Sequence, residues 1–200
     1  MSKAVPETLE LVFELQGDML PSAYVAALWR ELADRLPWLE QEAFAGLLPL
    51  RGAPSGGHLL LPRRAKLGLR LPIEQEQQAR KLIGQTLDIE GYALTIGAAH
   101  SRPLQPHPSL HAHLVTGPDE ENEFLQQVEQ SLQELEIEGK RICGKRTSLQ
   151  LGEYEITGYS LVVHELKPEA SLRLQHAGLG GERRYGCGLF VPCKDIPDFD

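Results

Sequence analysis

Apolar and polar side chains largely alternate through Thr8-Leu9-Glu10-Leu11-Val12-Phe13-Glu14-Leu15, the period of a strand with one buried face. From Pro21 the period changes. Val25, Leu28, Trp29, Leu32 and Leu36 recur at helical spacing, and Pro37 ends the run. Residues 47–50 read as a short strand, 51–57 as a Gly/Pro turn, and 58–71 as a strand or bent strand pair broken at Pro62. Residues 73–83 predict a second helix with Ala79, Leu82 and Ile83 inward, closed by Gly84. Residues 87–96 supply a strand or hairpin turning at Glu90-Gly91. The order is βαββαβ.

Three prolines in the run Ser101-Arg102-Pro103-Leu104-Gln105-Pro106-His107-Pro108 read as a stiff linker, since proline cannot donate to a sheet ladder. The order then repeats. A strand over 110–115 precedes a helix over 119–135 with Phe124, Leu125, Val128, Leu132 and Leu135 buried. Strands over 141–151 and 154–164 join near Gly152. A helix over 168–177 opens on Pro168 and ends at Gly178, and 189–191 form the last strand. Two βαββαβ units predict an α+β chain of two tandem ferredoxin-like (RRM-like) domains, over 7–100 and 109–194. Residues 101–108 are the linker and 195–200 an acidic tail.

The 200 residues and normal apolar fraction suit two small cores. No segment reaches the roughly 18 apolar residues of a membrane span, and the N-terminal stretch lacks a leader pattern, so a cytoplasmic protein is expected. Cys143, Cys187 and Cys193 form neither a disulfide framework nor a zinc knuckle.

The net charge of −8 argues against a nucleic-acid partner until its distribution is considered. Residues 119–138 hold eight acids and no base; without them, 20 acidic and 20 basic residues balance. Two stretches lack acids altogether, 51–73 (Arg51, Arg63, Arg64, Lys66, Arg70) and 139–152 (Lys140, Arg141, Lys145, Arg146). A local basic face, not the total, binds a polyanion.

The densest signal is Gly178-Leu179-Gly180-Gly181-Glu182-Arg183-Arg184-Tyr185-Gly186-Cys187-Gly188-Leu189-Phe190-Val191-Pro192. Five glycines in eleven residues fit neither helix nor regular strand. Bare amides can approach phosphate, and arginine forks suit the same ligand. The alternative is an ordinary glycine-rich connection.

With that run placed between the last helix and the last strand, the chain resembles the CRISPR-associated endoribonucleases that cut precursor CRISPR RNA within its repeats, most nearly their myxococcal-type branch. The resemblance rests on Ser171-Leu172-Arg173-Leu174-Gln175, Gly178-Leu179-Gly180-Gly181, Arg184 and Gly186-Cys187-Gly188-Leu189-Phe190-Val191-Pro192. It also rests on Leu36-Pro37-Trp38-Leu39, and on Arg64 with Leu67-Gly68-Leu69-Arg70-Leu71-Pro72. It implies metal-independent attack of a ribose 2′-hydroxyl on the adjacent phosphate, no cofactor, and crRNA kept as a bound product for a CRISPR effector complex. Relatives often carry a catalytic histidine in or just after the first helix; here 36–42 contains none.

His58, after Gly56-Gly57 in the hairpin leading to the basic strand, is the first catalytic candidate, because an imidazole can act as base or acid near neutrality. Tyr24 is the second, as an orienting hydroxyl. The RNA-binding candidates are Arg63, Arg64, Lys66, Arg70, Lys145, Arg146, Arg183, Arg184 and a base-stacking Tyr185, with Gly178, Gly180, Gly181, Gly186 and Gly188 shaping the loop. His111 and His113 share a strand face without an evident third ligand, so no metal site is assigned. Two other readings stay open: a non-catalytic crRNA-binding subunit, and an unrelated RRM-like RNA-binding protein.

Overall fold

The computed structural model describes residues 5–194, so the expected acidic tail over 195–200 lies outside the described residues. The elements, in chain order, are β1 (Thr8–Gln16), β2 (Met19–Pro21), α1 (Tyr24–Arg35), β3 (Gly46–Leu47), β4 (Ala53–Ser55), β5 (His58–Leu60) and β6 (Lys66–Pro72). Then come α2 (Glu76–Ala79), β7 (Thr86–Ile89), β8 (Tyr92–Pro103), β9 (Leu110–Thr116), α3 (Glu121–Glu134), β10 (Lys140–Leu151), β11 (Tyr154–His164), α4 (Pro168–Ala177) and β12 (Val191–Pro192).

The first sheet runs β3-β6-β1-β8-β7 and the second β10-β11-β9-β12. Leaving aside the extra edge strand β7, both read second, third, first, fourth within their own βαββαβ unit. That is the ferredoxin-like order, found twice. A small sheet, β2-β5-β4, joins the β4–β5 hairpin inserted between β3 and β6 to the short strand β2 that precedes α1.

Each unit closes its own core. In β1 the odd positions Leu9, Leu11, Phe13 and Leu15 pack with Val25, Leu28, Trp29 and Leu32 of α1. In the second unit Leu110, Ala112 and Val115 of β9 meet Phe124, Val128 and Leu132 of α3 and Leu174 of α4. Burying each large apolar side chain contributes about 1.5–3 kcal/mol, which is why the hydrophobic period predicts these faces well.

Three expectations need correction. Residues 101–103 are not linker: they extend β8, with Leu9 opposite Pro103 and Leu11 opposite Ser101. The 73–83 helix is only one α turn, Glu76–Ala79, between 3-10 turns at Ile73–Gln75 and Arg80–Leu82. Ile83, expected inward, is exposed because the chain has left the helix there.

The units are joined by side chains as well as by the connection. The Thr8 amide donates to His176 Nδ1 at 3.0 Å, pinning the start of β1 to the end of α4. Leu149 and Leu151, at the tip of the β10–β11 hairpin, pack against the first unit's core. No helix among the described residues is long and apolar enough to cross a membrane.

Candidate nucleic-acid interface

α4 ends at Gly178 (φ +67), and the chain then doubles back on itself. Most of its amides are satisfied within the second unit. Gly178 N–H donates to Leu174 O (2.8 Å), Leu179 N–H to Gly188 O (3.3 Å), Gly186 N–H to Arg183 O (2.9 Å) and Gly188 N–H to Leu114 O (2.7 Å). Gly181 N–H donates to Thr116 Oγ1 at 2.6 Å. Side chains are excluded for steric reasons. A Cβ on Gly186 would stand 2.8 Å from Leu47 O, and one on Gly188 would collide with Leu179 O.

The expected phosphate cradle is therefore corrected for Gly178, Gly181, Gly186 and Gly188: these amides hydrogen-bond within the second unit and are not free for a ligand. Between Gly178 and Gly188 only Gly180, Gly181 and Arg184 are exposed.

Arg183 is a second correction. It is 9% exposed, and its Nη1 donates to Ala177 O at 2.7 Å, capping the C-terminus of α4. Burial, reinforced by the nearby Arg70 and opposed by Glu42, pushes its pKa down to about 9. Arg70 is the third. It is fully buried, its Nη2 2.6 Å from Glu10 Oε1, its Nη1 donating to Phe190 O (2.6 Å) and Gln175 O (3.3 Å). Neither guanidinium can reach RNA, because each is buried inside the protein.

Arg184 does point outward. Its Nε donates to Glu182 Oε2 at 3.1 Å, and its guanidinium lies 4.8 Å over the Tyr185 ring. Tyr185 packs half-buried against the first core, so this guanidinium covers ring surface expected to stack a base.

A second group of cations surrounds the small sheet. Arg51, Arg63 and Arg64 are exposed and have no ion-pair partner among the described residues, whereas Lys66 pairs with Glu14 at 3.2 Å. On β10, Lys145 is exposed at a bulge, and exposed Arg146 reaches Asp119 at 2.5 Å.

His58 stands in the predicted hairpin, paired across to Ser55 and Pro21. Its Nδ1 lies 3.0 Å from Gly56 O and its Nε2 2.7 Å from the Tyr92 hydroxyl. Nothing in the sequence marks Tyr92 beyond the Glu90-Gly91 turn beside it. Tyr24 is corrected. It is 6% exposed, its oxygen accepts the Leu50 N–H at 2.9 Å, and burial raises its pKa, so it is a core residue and no orienting group for RNA. After α1 a 3-10 turn, Pro37–Gln41, buries Leu39 and exposes Glu40. His111 sits between Val162 and Val191 on the open face of β9, and burial with His113 nearby lowers its pKa. No cluster suited to a metal occurs among the described residues.

Comparison with known proteins places this arrangement. The family model described as "Cas6 Crispr" matches residues 9–195. The CRISPR-associated endonuclease Cas6 of Myxococcus xanthus (strain DK1622) is 34% identical over 186 residues, 92% of this chain and 81% of that protein. Among solved structures, a CRISPR associated protein Cas6 aligns with a TM-score of 0.68 at 11% identity, over 94% of this chain and 100% of that one. An RAMP protein described as binding different RNA substrates aligns at 0.64 and 13% identity, over 91% of this chain and 98% of that one.

Proposed function

The chain belongs to the Cas6 family, and on that footing we propose that it is an endoribonuclease that cleaves precursor CRISPR RNA in its repeats and keeps hold of the mature crRNA. The observation that carries the reading is the family match running through both ferredoxin-like units. The chemistry is transfer of the phosphodiester to the neighbouring 2′-hydroxyl. A base takes the hydroxyl proton, cations steady the phosphate oxygens, and the 5′-oxygen leaves. The products are a 2′,3′-cyclic phosphate, or its opened form, and a 5′-hydroxyl. DNA lacks the nucleophile and is not cut.

His58 is the acid–base residue in this reading. Arg51, Arg63, Arg64, Lys66, Lys145, Arg146 and Arg184 are the cations available to the RNA, all on the surface. The first unit is taken as ending at Pro103 and the second as running from Ser109 to Lys194. The protein acts in the cytoplasm and passes its crRNA to a CRISPR effector complex.

One observation favours a second reading. The 3-10 turn after α1 offers Trp38, Glu40 and Gln41 and no histidine, as in a subunit that grips crRNA without turnover. Incubating the protein with end-labelled repeat RNA in EDTA decides between them. Cleavage to a cyclic phosphate is expected. Tight, repeat-specific binding with no product would establish the second reading, and the absence of any repeat preference would defeat both.

A further inference from the structure

Two tight turns set His58 and Tyr92 against each other. Ser55 and His58 close a hairpin over Gly56 (φ +54) and Gly57 (φ +80), and Ile89 and Tyr92 close another over Glu90 (φ +54) and Gly91 (φ +89). Left-handed geometry at both central residues is the turn that matches strand twist, so both tips are stiff. Each is tied down further. Gly57 O accepts the Ser22 N–H at 2.9 Å, and Asp88 Oδ1 accepts the Gly91 N–H at 2.6 Å. The rings meet edge to face, centroids 5.5 Å apart at 61°.

The hydrogen bonds fix the proton's place. Gly56 O can only accept, so His58 Nδ1 carries the hydrogen. In the neutral ring Nε2 is then the acceptor, and the Tyr92 O–H, 2.7 Å away, is its donor. One ring-nitrogen lone pair takes one donor. A proton therefore reaches Nε2 through the phenol oxygen.

We infer that Tyr92 completes an acid–base unit with His58, relaying the 2′-hydroxyl proton to the imidazole; this rests on the endoribonuclease reading above. In the step, the 2′-O–H bond breaks and its proton passes to Tyr92 Oη. The proton of Oη passes to His58 Nε2, leaving an imidazolium. The freed electron pair of the 2′-oxygen forms the new bond to phosphorus, the bond from phosphorus to the 5′-oxygen breaks, and that oxygen takes a proton from water. The imidazolium returns its proton to solvent by the same route.

The test pairs spectroscopy with single-turnover cleavage of labelled repeat RNA by the wild type, His58→Ala, Tyr92→Phe and the double variant, with thermal melts confirming the fold. Nitrogen-15 NMR of the wild-type histidines should show His58 protonated at Nδ1, and Tyr92→Phe should mix the tautomers. Tyr92→Phe should cleave about 10- to 100-fold more slowly at unchanged RNA affinity, and the double variant no more slowly than His58→Ala. Wild-type rates in Tyr92→Phe, additive losses in the double variant, or an Nε2-protonated His58 would overturn the relay alone. A wild type that binds RNA but never cuts it would remove the endoribonuclease reading and the relay with it, whatever the tautomer.

Discussion

Arg70 and Glu10 sit directly opposite each other on β6 and β1, 2.6 Å apart and both buried, and the same guanidinium donates to Phe190 O in the other unit. A cross-strand ion pair of the first sheet is thereby a bolt between the two ferredoxin-like units. Burial pushes the Arg70 pKa down, and the neighbouring Glu10 carboxylate pushes it back up.

Removing Glu10 leaves the buried guanidinium without its carboxylate, and removing Arg70 leaves Glu10 with only the exposed Arg102, 3.7 Å from its Oε2. Arg70→Ala or Glu10→Ala should each destabilise the protein by about 3–5 kcal/mol in urea denaturation, while Arg70→Met with Glu10→Leu should recover most of the loss. Single variants as stable as the parent would refute the bolt.

The two adjacent arginines of the glycine-rich run should separate cleanly. Arg184→Ala should weaken RNA binding and reduce its log–log salt slope by about one, with the melting temperature unchanged. Arg183→Ala should lower the melting temperature instead, because it uncaps α4. Filter binding over a salt series together with calorimetry reads both, and equal salt slopes in the two variants would count against the assignment.

Gly188 and Gly181 give a backbone test of the same loop. Gly188 has φ +66 and its missing Cβ would strike Leu179 O, so Gly188→Ala should cost more than about 1–3 kcal/mol or prevent folding. Gly181 has ordinary φ, and an added Cβ meets only Thr116 Oγ1 at 3.6 Å. Gly181→Ala should therefore stay within about 0.5 kcal/mol of wild type by denaturant titration.

His176 makes stability depend on pH. Its Nδ1 must be unprotonated to accept the Thr8 N–H. Burial, with Arg70 and Arg183 nearby, lowers its pKa below the ordinary 6.5, against the opposing pull of Glu7. The unfolded chain then takes up the proton first. This contribution is complete above about pH 6.5 and is lost as pH falls towards the lowered folded value. Urea midpoints should decline as pH is lowered from 7 to 5, and His176→Gln should flatten that decline; a midpoint rising on acidification would contradict the sign.

The apolar periods of residues 8–15, 25–36 and 124–135 carried the fold, since each face is set by whether neighbouring side chains find water or each other. The family motifs were equally legible, because each is a short stretch of neighbouring residues. The roles inside those motifs were not. Arg70, Arg183 and Arg184 look alike as letters, yet two are sealed between the units and one is exposed. Nothing local in the chain encodes what lies opposite a residue 100 or more positions away, as Phe190 does for Arg70.

Hydrophobic spacing, turn residues and charge segregation by themselves determined two ferredoxin-like units and a polyanion-binding class, because those signals act over a few residues. Docking of the second unit on the first decided the rest. It enclosed two arginines and left Arg184 at the surface, while hydrogen bonds inside the second unit consumed the glycine amides. The folding of the first unit on itself likewise brought Tyr92 to His58. A polar group's role depends on which partner reaches it first, and that is fixed only when the chain is folded.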